Sequence, residues 1–494
     1  MLACFRFYIQ GEVEKFSKEN NEVEMKRLWL VGLAMALVMA FSVSSWAVDL
    51  KVSGSFSAAG VYLDKINLKK EGAQSGQSTA FYYQRLRLKT EFLVTPGLSL
   101  VTSADIMERA WGANRSTPSA TVDAVGIYTT SAATRAENEN IGFDHAYVNY
   151  ATPIGIFRVG YMPDYIGGTI FHDNETPAAK ITYTLPLNNV VLGIQLVKVV
   201  EKSYNATNTS ATQTDHDTDK VQAFFKYKND NFEGGLIWLY ANDASHRRTP
   251  DYYSIKSRFH SVQPYLKATI GPVKIQAELD YYFGKLAQLD SEAVFLDQKL
   301  SSLAGWFDAV ATFGPVYVGY TFAYSQGQGT DGDTVNAYTG GGKDWSPTLI
   351  MWNSDRSYWI GNINGYGNGT SSGTSRFGTE MTNAFFHQLK IGLRPTDQLD
   401  ICLSGSYARA DRLNGLNATQ TAFGPLIGLQ DLSGYSSKDY GTEIDLTGTY
   451  KINDNLAYMA GFGYLFTGDY FKAGNTGAQV DNDYMFINKL TLTF

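Results

Sequence analysis

The chain has 494 residues, of which 44% are hydrophobic, 14% aromatic and only 18% charged, and its formal net charge is -7. A mean hydropathy of -0.20 excludes a bundle of membrane helices, which needs repeated apolar runs of about 20 residues. Forty-seven Gly against thirteen Pro argue against a disordered chain, and the acidic balance argues against nucleic acid as a partner.

The N-terminus indicates the compartment. Met25-Lys26-Arg27 is a basic head, Leu28 to Val43 is an uncharged apolar core, and Ser45-Trp46-Ala47 offers small residues at a cleavage site. That order reads as a secretory signal peptide over residues 25–47. Residues 1–24 read as an extension ahead of the true start, and 48–494 as the folded domain. Removing residues 1–47 takes away five basic and five acidic residues, so the balance stays at -7, and it leaves Cys402 as the one cysteine. No disulfide framework or zinc spacing follows from a single Cys, and no cofactor is expected.

From Leu50 onward the chain alternates. In the second segment Tyr82, Leu86, Leu88, Thr90 and Phe92 share one face, and Arg85, Arg87, Lys89 and Glu91 share the other, because neighbours on a strand point to opposite sides. Eighteen such segments are predicted: 50–63, 80–94, 98–111, 141–151, 156–163, 178–186, 190–201, 219–228, 232–242, 257–270, 273–285, 303–313, 316–325, 382–394, 399–409, 440–451, 456–466 and 484–494. Tight-turn signals such as Thr95-Pro96-Gly97, Asn229-Asp230-Asn231, Gly314-Pro315 and Asn453-Asp454-Asn455 join them in pairs. Longer polar loops follow each pair, the longest spanning 326–381. The pattern predicts an all-β fold: a single transmembrane antiparallel β-barrel of about 18 strands. Its short turns are periplasmic and its long loops extracellular, in the outer membrane of a Gram-negative cell. Outer-membrane lipids are then the first partners. The last segment ends on Phe494, an aromatic terminus that reads as a signal for the barrel-assembly machinery.

Strand parity gives the lumen side. The pore-lining basic candidates are Arg85, Arg87, Lys89, Arg158, Lys180, Lys390 and Arg394. The pore-lining acidic candidates are Glu91, Asp105, Glu278, Asp280, Glu443 and Asp445. A charge facing lipid costs a few kcal/mol near the midplane, whereas a wet lumen accepts it. Arg85, Arg87 and Lys89 form a cationic ladder. It reads either as a track for anionic solutes or as a mixed wall balanced by acids on neighbouring strands. Glu443 and Asp445 form an acidic ladder that barrel closure brings toward it. The 326–381 loop carries Trp345, Trp352, Tyr358 and Trp359. It either folds into the pore or caps it from outside.

Catalytic and metal signals are weak. His260-Ser261 has no third member, and Asp331-Gly332-Asp333 and Asp215-His216-Asp217 lack the spaced ligands of a calcium loop. No enzyme and no metal site is expected.

Phe143-Asp144-His145-Ala146-Tyr147-Val148 with Gly155-Ile156-Phe157-Arg158-Val159-Gly160 is one group of motifs. Tyr440 to Leu446, Ala460 to Tyr464 and Gly468-Asp469-Tyr470-Phe471 form another. These resemble the outer-membrane porin and alginate-export-like β-barrel superfamily. The resemblance implies an eighteen-stranded barrel and a basic lumen, departing at His145, where relatives often carry Arg. It leaves three readings: a porin-type channel for passive diffusion of small hydrophilic solutes, anionic ones included; an exporter of an anionic polysaccharide; and a structural or adhesive barrel. Monomer and homotrimer both remain open.

Overall fold

The computed structural model describes residues 48–72, 75–112, 141–163, 168–173, 177–201, 216–247, 254–289, 297–337, 340–342, 344–366, 376–416 and 431–494. The expected extension and signal peptide lie outside the described residues, as does Asp215. The first thirteen strands are β1 (Asp49–Leu63), β2 (Thr79–Thr95), β3 (Leu98–Ala110), β4 (Ile141–Thr152), β5 (Gly155–Met162), β6 (Ala178–Leu187), β7 (Val190–Val200), β8 (Thr218–Lys228), β9 (Phe232–Asp243), β10 (Ile255–Ile270), β11 (Val273–Leu289), β12 (Gln298–Phe313) and β13 (Val316–Ser325). Three two-residue strands follow within the long loop: β14 (Thr334–Val335), β15 (Ile363–Asn364) and β16 (Arg376–Phe377). The wall resumes with β17 (Ala384–Thr396), β18 (Leu399–Ala410), β19 (Asp439–Lys451), β20 (Leu456–Thr467) and β21 (Asp483–Thr493).

Eighteen of these strands form one closed antiparallel wall. Each pairs with its sequence neighbour, β13 pairs with β17 across the long loop, and β21 pairs with β1 from Ser55↔Thr493 to Leu63↔Met485. Closure is required physically: an open edge in lipid leaves N–H and C=O groups unpaired at several kcal/mol each. The outward face is apolar and exposed, as at Leu50, Val52, Val159, Leu196, Leu389, Ile391, Leu403 and Leu446. Lipid covers such a face, whereas water would not tolerate it. Near the tight turns, Tyr150 pairs with Phe157 and Tyr450 with Tyr458, all four exposed outward. Aromatic rings at these depths suit the headgroup boundary.

The strand plan departs from the sequence reading at both described ends of the 286–302 segment, expected as loop: β11 runs on to Leu289 and β12 begins at Gln298. The extension is stabilised on the inner side. Leu286 and Leu300 are buried there with Val335, whose strand β14 pairs parallel to β12 at Lys299↔Thr334.

The register also explains Gly160. It has a φ of 134°, and a Cβ there would stand 2.4 Å from the Ala146 carbonyl oxygen. Gly160→Val forces the β4–β5 pair apart, a strain of roughly 1–3 kcal/mol. The expected outcome is a lower yield of folded barrel, read as loss of the heat-modifiable band on a gel; full yield would contradict the strain argument.

The interior holds a folded plug. Residues 340–342 and 344–366 turn inward, with Trp345, Ile350, Met351, Trp352 and Trp359 all buried. Each large apolar side chain so covered contributes about 1.5–3 kcal/mol. The reading in which this loop enters the pore is therefore the observed one.

Candidate pore constriction

The inward loop is built around one short helix, α1 (Ser354–Ile360). Asn353 caps it: its Oδ1 accepts the Arg356 N–H at 2.8 Å, and its Nδ2 donates to the Thr348 carbonyl at 2.7 Å. Gly361 ends it, at a φ of 96° that favours glycine. Aromatic contacts fix the loop to the wall. Trp359 stacks on Tyr83 at 4.4 Å, and Trp352 meets Phe377 at 5.2 Å and Tyr440 at 5.4 Å edge-on. Trp345 meets Phe386 at 5.4 Å.

Two wall carboxylates clasp inward loops by the same device. Glu443 on β19 accepts the Ile350 N–H at 2.6 Å and the Met351 N–H at 2.8 Å, one on each oxygen. Glu278 on β11 accepts the Thr169 N–H at 2.6 Å and also the Thr169 hydroxyl. Each Glu is followed two residues later by a buried Asp on the same inner face, Asp445 and Asp280. The two clasped loops also touch one another, since the Asp344 N–H donates to the Asp173 carbonyl at 3.2 Å.

These contacts correct four sequence expectations. Glu278, Asp280, Glu443 and Asp445 do stand on the inner face, but all are buried beneath loops. Glu278 and Glu443 anchor the inward loops, and none of the four is exposed. Lys180 is likewise buried, with its Nζ donating to the Pro163 carbonyl. The acidic ladder does not flank the cationic one either. Strands β1, β21 and β20 lie between β2 and β19, roughly 19 Å of wall at about 4.8 Å per strand.

The basic ladder on β2 is compensated in part. Arg87 makes a bidentate pair with Asp105, both bonds 2.8 Å, and reaches Asp144 at 3.5 Å. Arg85 reaches Glu108 at 3.4 Å. Both arginine side chains keep 38% exposure. Lys89 is exposed on the same inner face and makes no ion pair among the described residues. Arg158 donates from Nε to Asn149 at 2.9 Å. Glu91 stands 3.9 Å from Lys51, Lys390 pairs with Asp308 at 3.0 Å, and Arg394 pairs with Asp400 at 2.8 Å. Phe494 is tied to β1 through two backbone bonds with Gly54 at 2.9 and 3.0 Å. The wall is thus a mixed one: Arg85, Arg87 and Lys89 on β2 keep exposure, whereas the β11 and β19 carboxylates are covered by loops.

Arg356 was missed by sequence reasoning. It is buried, and its two Nη groups donate to the Gly361 carbonyl at 2.6 Å and the Phe377 carbonyl at 3.4 Å. Burial lowers its pKa to about 10, opposed by the nearby Glu443 and Asp483 carboxylates, so it stays charged at neutral pH. Burial likewise holds His172 below the usual histidine value. Its Nε2 lies 2.7 Å from the Tyr282 hydroxyl. Nothing periodic marks these loop residues in the sequence.

His260 and Ser261 point to opposite faces. His260 packs outside at 5.0 Å from Tyr240, and Ser261 is fully buried inside. They cannot act as a pair. Asp333 is held at a pKa of about 2, first by its hydrogen bond to Lys299, which lies 2.7 Å away. Among the described residues no cluster of metal-ligating side chains occurs.

The family model described as alginate export matches residues 201–485. The chain belongs to the alginate export family. The match takes in the Tyr440–Phe471 motifs, whereas Phe143–Gly160 lies ahead of it. The family and the closed, apolar-faced wall place this alginate-export-family chain in the bacterial outer membrane. A search of curated proteins found no match. Solved structures with a distant likeness include OccK8 (OprE) of Pseudomonas aeruginosa, 12% identical with a TM-score of 0.47, over 90% of this chain and 98% of that one. OccAB1 of Acinetobacter baumannii is 11% identical with a TM-score of 0.47, over 90% and 97%. The outer-membrane channel DcaP of the same species is 11% identical with a TM-score of 0.41, over 91% and 99%.

Proposed function

We propose that this chain is a passive outer-membrane channel for small hydrophilic solutes, anions among them. The observation that carries the reading is the inner wall along β2 to β5. There Lys89 is exposed and Arg85 and Arg87 are partly so, beside a loop that narrows the barrel. Solutes move down their gradient, and the protein supplies a wet path, a size limit and a field. Along β2 to β5, Lys89 and Arg158 make no ion pair among the described residues, and so they set the field there. Phe494 serves as the assembly signal, and the outward apolar faces admit either lipid or a second and third copy.

Planar-bilayer recording tests the reading, which predicts open channels of ordinary conductance. Replacing both Lys89 and Arg158 by Gln is expected to move the reversal potential toward cation preference. An unchanged potential would refute their role.

The family membership favours a second reading, export of an anionic polysaccharide of the polyuronate type. Block by micromolar polyuronate separates it from the first. A barrel with no conductance at all would leave only a structural or adhesive role.

A further inference from the structure

A recess opens beside α1, between the inward loop and strands β1, β2, β20 and β21, with a volume of about 110 Å³. For scale, a cavity of about 150 Å³ holds a benzene ring, so this one admits an aliphatic side chain. Its walls are apolar: Leu349, Trp359, Met459, Met485 and Ile487. Two of these are Met, a flexible side chain that adapts to irregular guests. Met459 stands near the short-turn end of β20 and Lys489 near the middle of β21, so the recess lies well inside the barrel.

The rim is polar and carries both signs. Asp355 and Lys489 line the recess, their side chains 44% and 30% exposed, with the Lys489 Nζ 3.6 Å from Asp355 Oδ2. The Tyr83 hydroxyl donates to the same Asp355 oxygen at 3.0 Å, which holds the carboxylate in place. Arg356 lines the recess too, and its buried Nε has no hydrogen-bond partner among the described residues.

We infer that this recess is a binding subsite for a zwitterionic α-amino acid with an apolar side chain. A solute bearing only an anion meets Asp355, and one bearing only a cation meets Lys489. An α-amino acid carries both heads on one carbon. Its ammonium faces Asp355, its carboxylate faces Lys489, and its side chain enters the Met- and Trp-lined recess. The exchange replaces one internal ion pair by two to the ligand. The apolar burial then decides between leucine and glycine.

The subsite rests on the channel reading, and one experiment separates the two. The full chain is reconstituted in planar bilayers, and salt current is recorded while leucine, glycine, isocaproate and isoamylamine are added at neutral pH. Leucine is expected to reduce the current saturably, and the other three at least about tenfold more weakly. That is the scale of one lost hydrogen bond to a charged group for isocaproate and isoamylamine, and of the lost side-chain burial for glycine. Asp355→Asn and Lys489→Gln should each weaken leucine block by a similar factor. Equal block by all four compounds, or by none in a conducting channel, overturns the subsite and leaves the channel intact. Absence of any salt current overturns the channel reading itself. The ligand series on the unaltered protein decides the matter even where a variant fails to assemble.

Discussion

Replacing Glu443 by Ala is expected to open the constriction and raise single-channel conductance. The carboxylate holds the Ile350 and Met351 N–H groups at 2.6 and 2.8 Å. Leaving a buried donor unpaired costs about 1–3 kcal/mol, and here two are left together. The change also removes a carboxylate whose field favours the charged form of the buried Arg356. Residues 340–366 then leave the wall, since an undocked loop regains water for those groups. Glu443→Gln keeps one acceptor oxygen and should fall between. Conductance together with limited proteolysis of the loop checks this. A resistant loop and an unaltered current in Glu443→Ala would show that aromatic packing alone seats the constriction.

Trp352→Ala is expected to release the same loop by a different route. Trp352 is buried and packs edge-on against Phe377, Phe386 and Tyr440 at 5.2, 6.0 and 5.4 Å. Truncating a buried aromatic costs roughly 3–5 kcal/mol. The wall should survive, because its strands are held by inter-strand hydrogen bonds that lipid makes obligatory. Hydrogen exchange measured by peptide distinguishes the cases. Faster exchange confined to 340–366 is the expected result, with β13 and β17 still protected. Loss of protection in the wall strands would mean that the plug is part of what closes the barrel.

The barrel was legible because strand alternation is local. The inner-face residues Arg85, Arg87 and Lys89 and the outer-face residues Leu86 and Leu88 sort themselves by parity alone, and the β1–β2 register keeps that sorting from Asp49↔Leu93 to Leu63↔Thr79. Turns such as Asn453-Asp454-Asn455 carry their own chemistry: the Asn453 side chain accepts the Asn455 N–H at 2.9 Å. Where parity was the argument, as for Asp105 opposite Arg87, the register agrees with it.

What parity does not carry is whether an inner-face residue meets water or a loop. Glu91 and Glu443 share the inner face and a charge, yet Glu91 stays partly exposed and Glu443 is fully buried. The difference comes from Ile350 and Met351, 93 and 92 residues away in sequence. Arg356 and Asp355 sit in an aperiodic loop, and only the fold places them beside Tyr83 and Lys489.

The eighteen-strand wall and the two-faced character of each strand were therefore already written in the chain, because a period-two pattern and turn chemistry act between near neighbours. Which inner-face acids became loop anchors, and where a recess with opposed charges forms, emerged with the folded long loop. Those features depend on where a long loop docks, and docking sums many contacts between residues far apart in the chain.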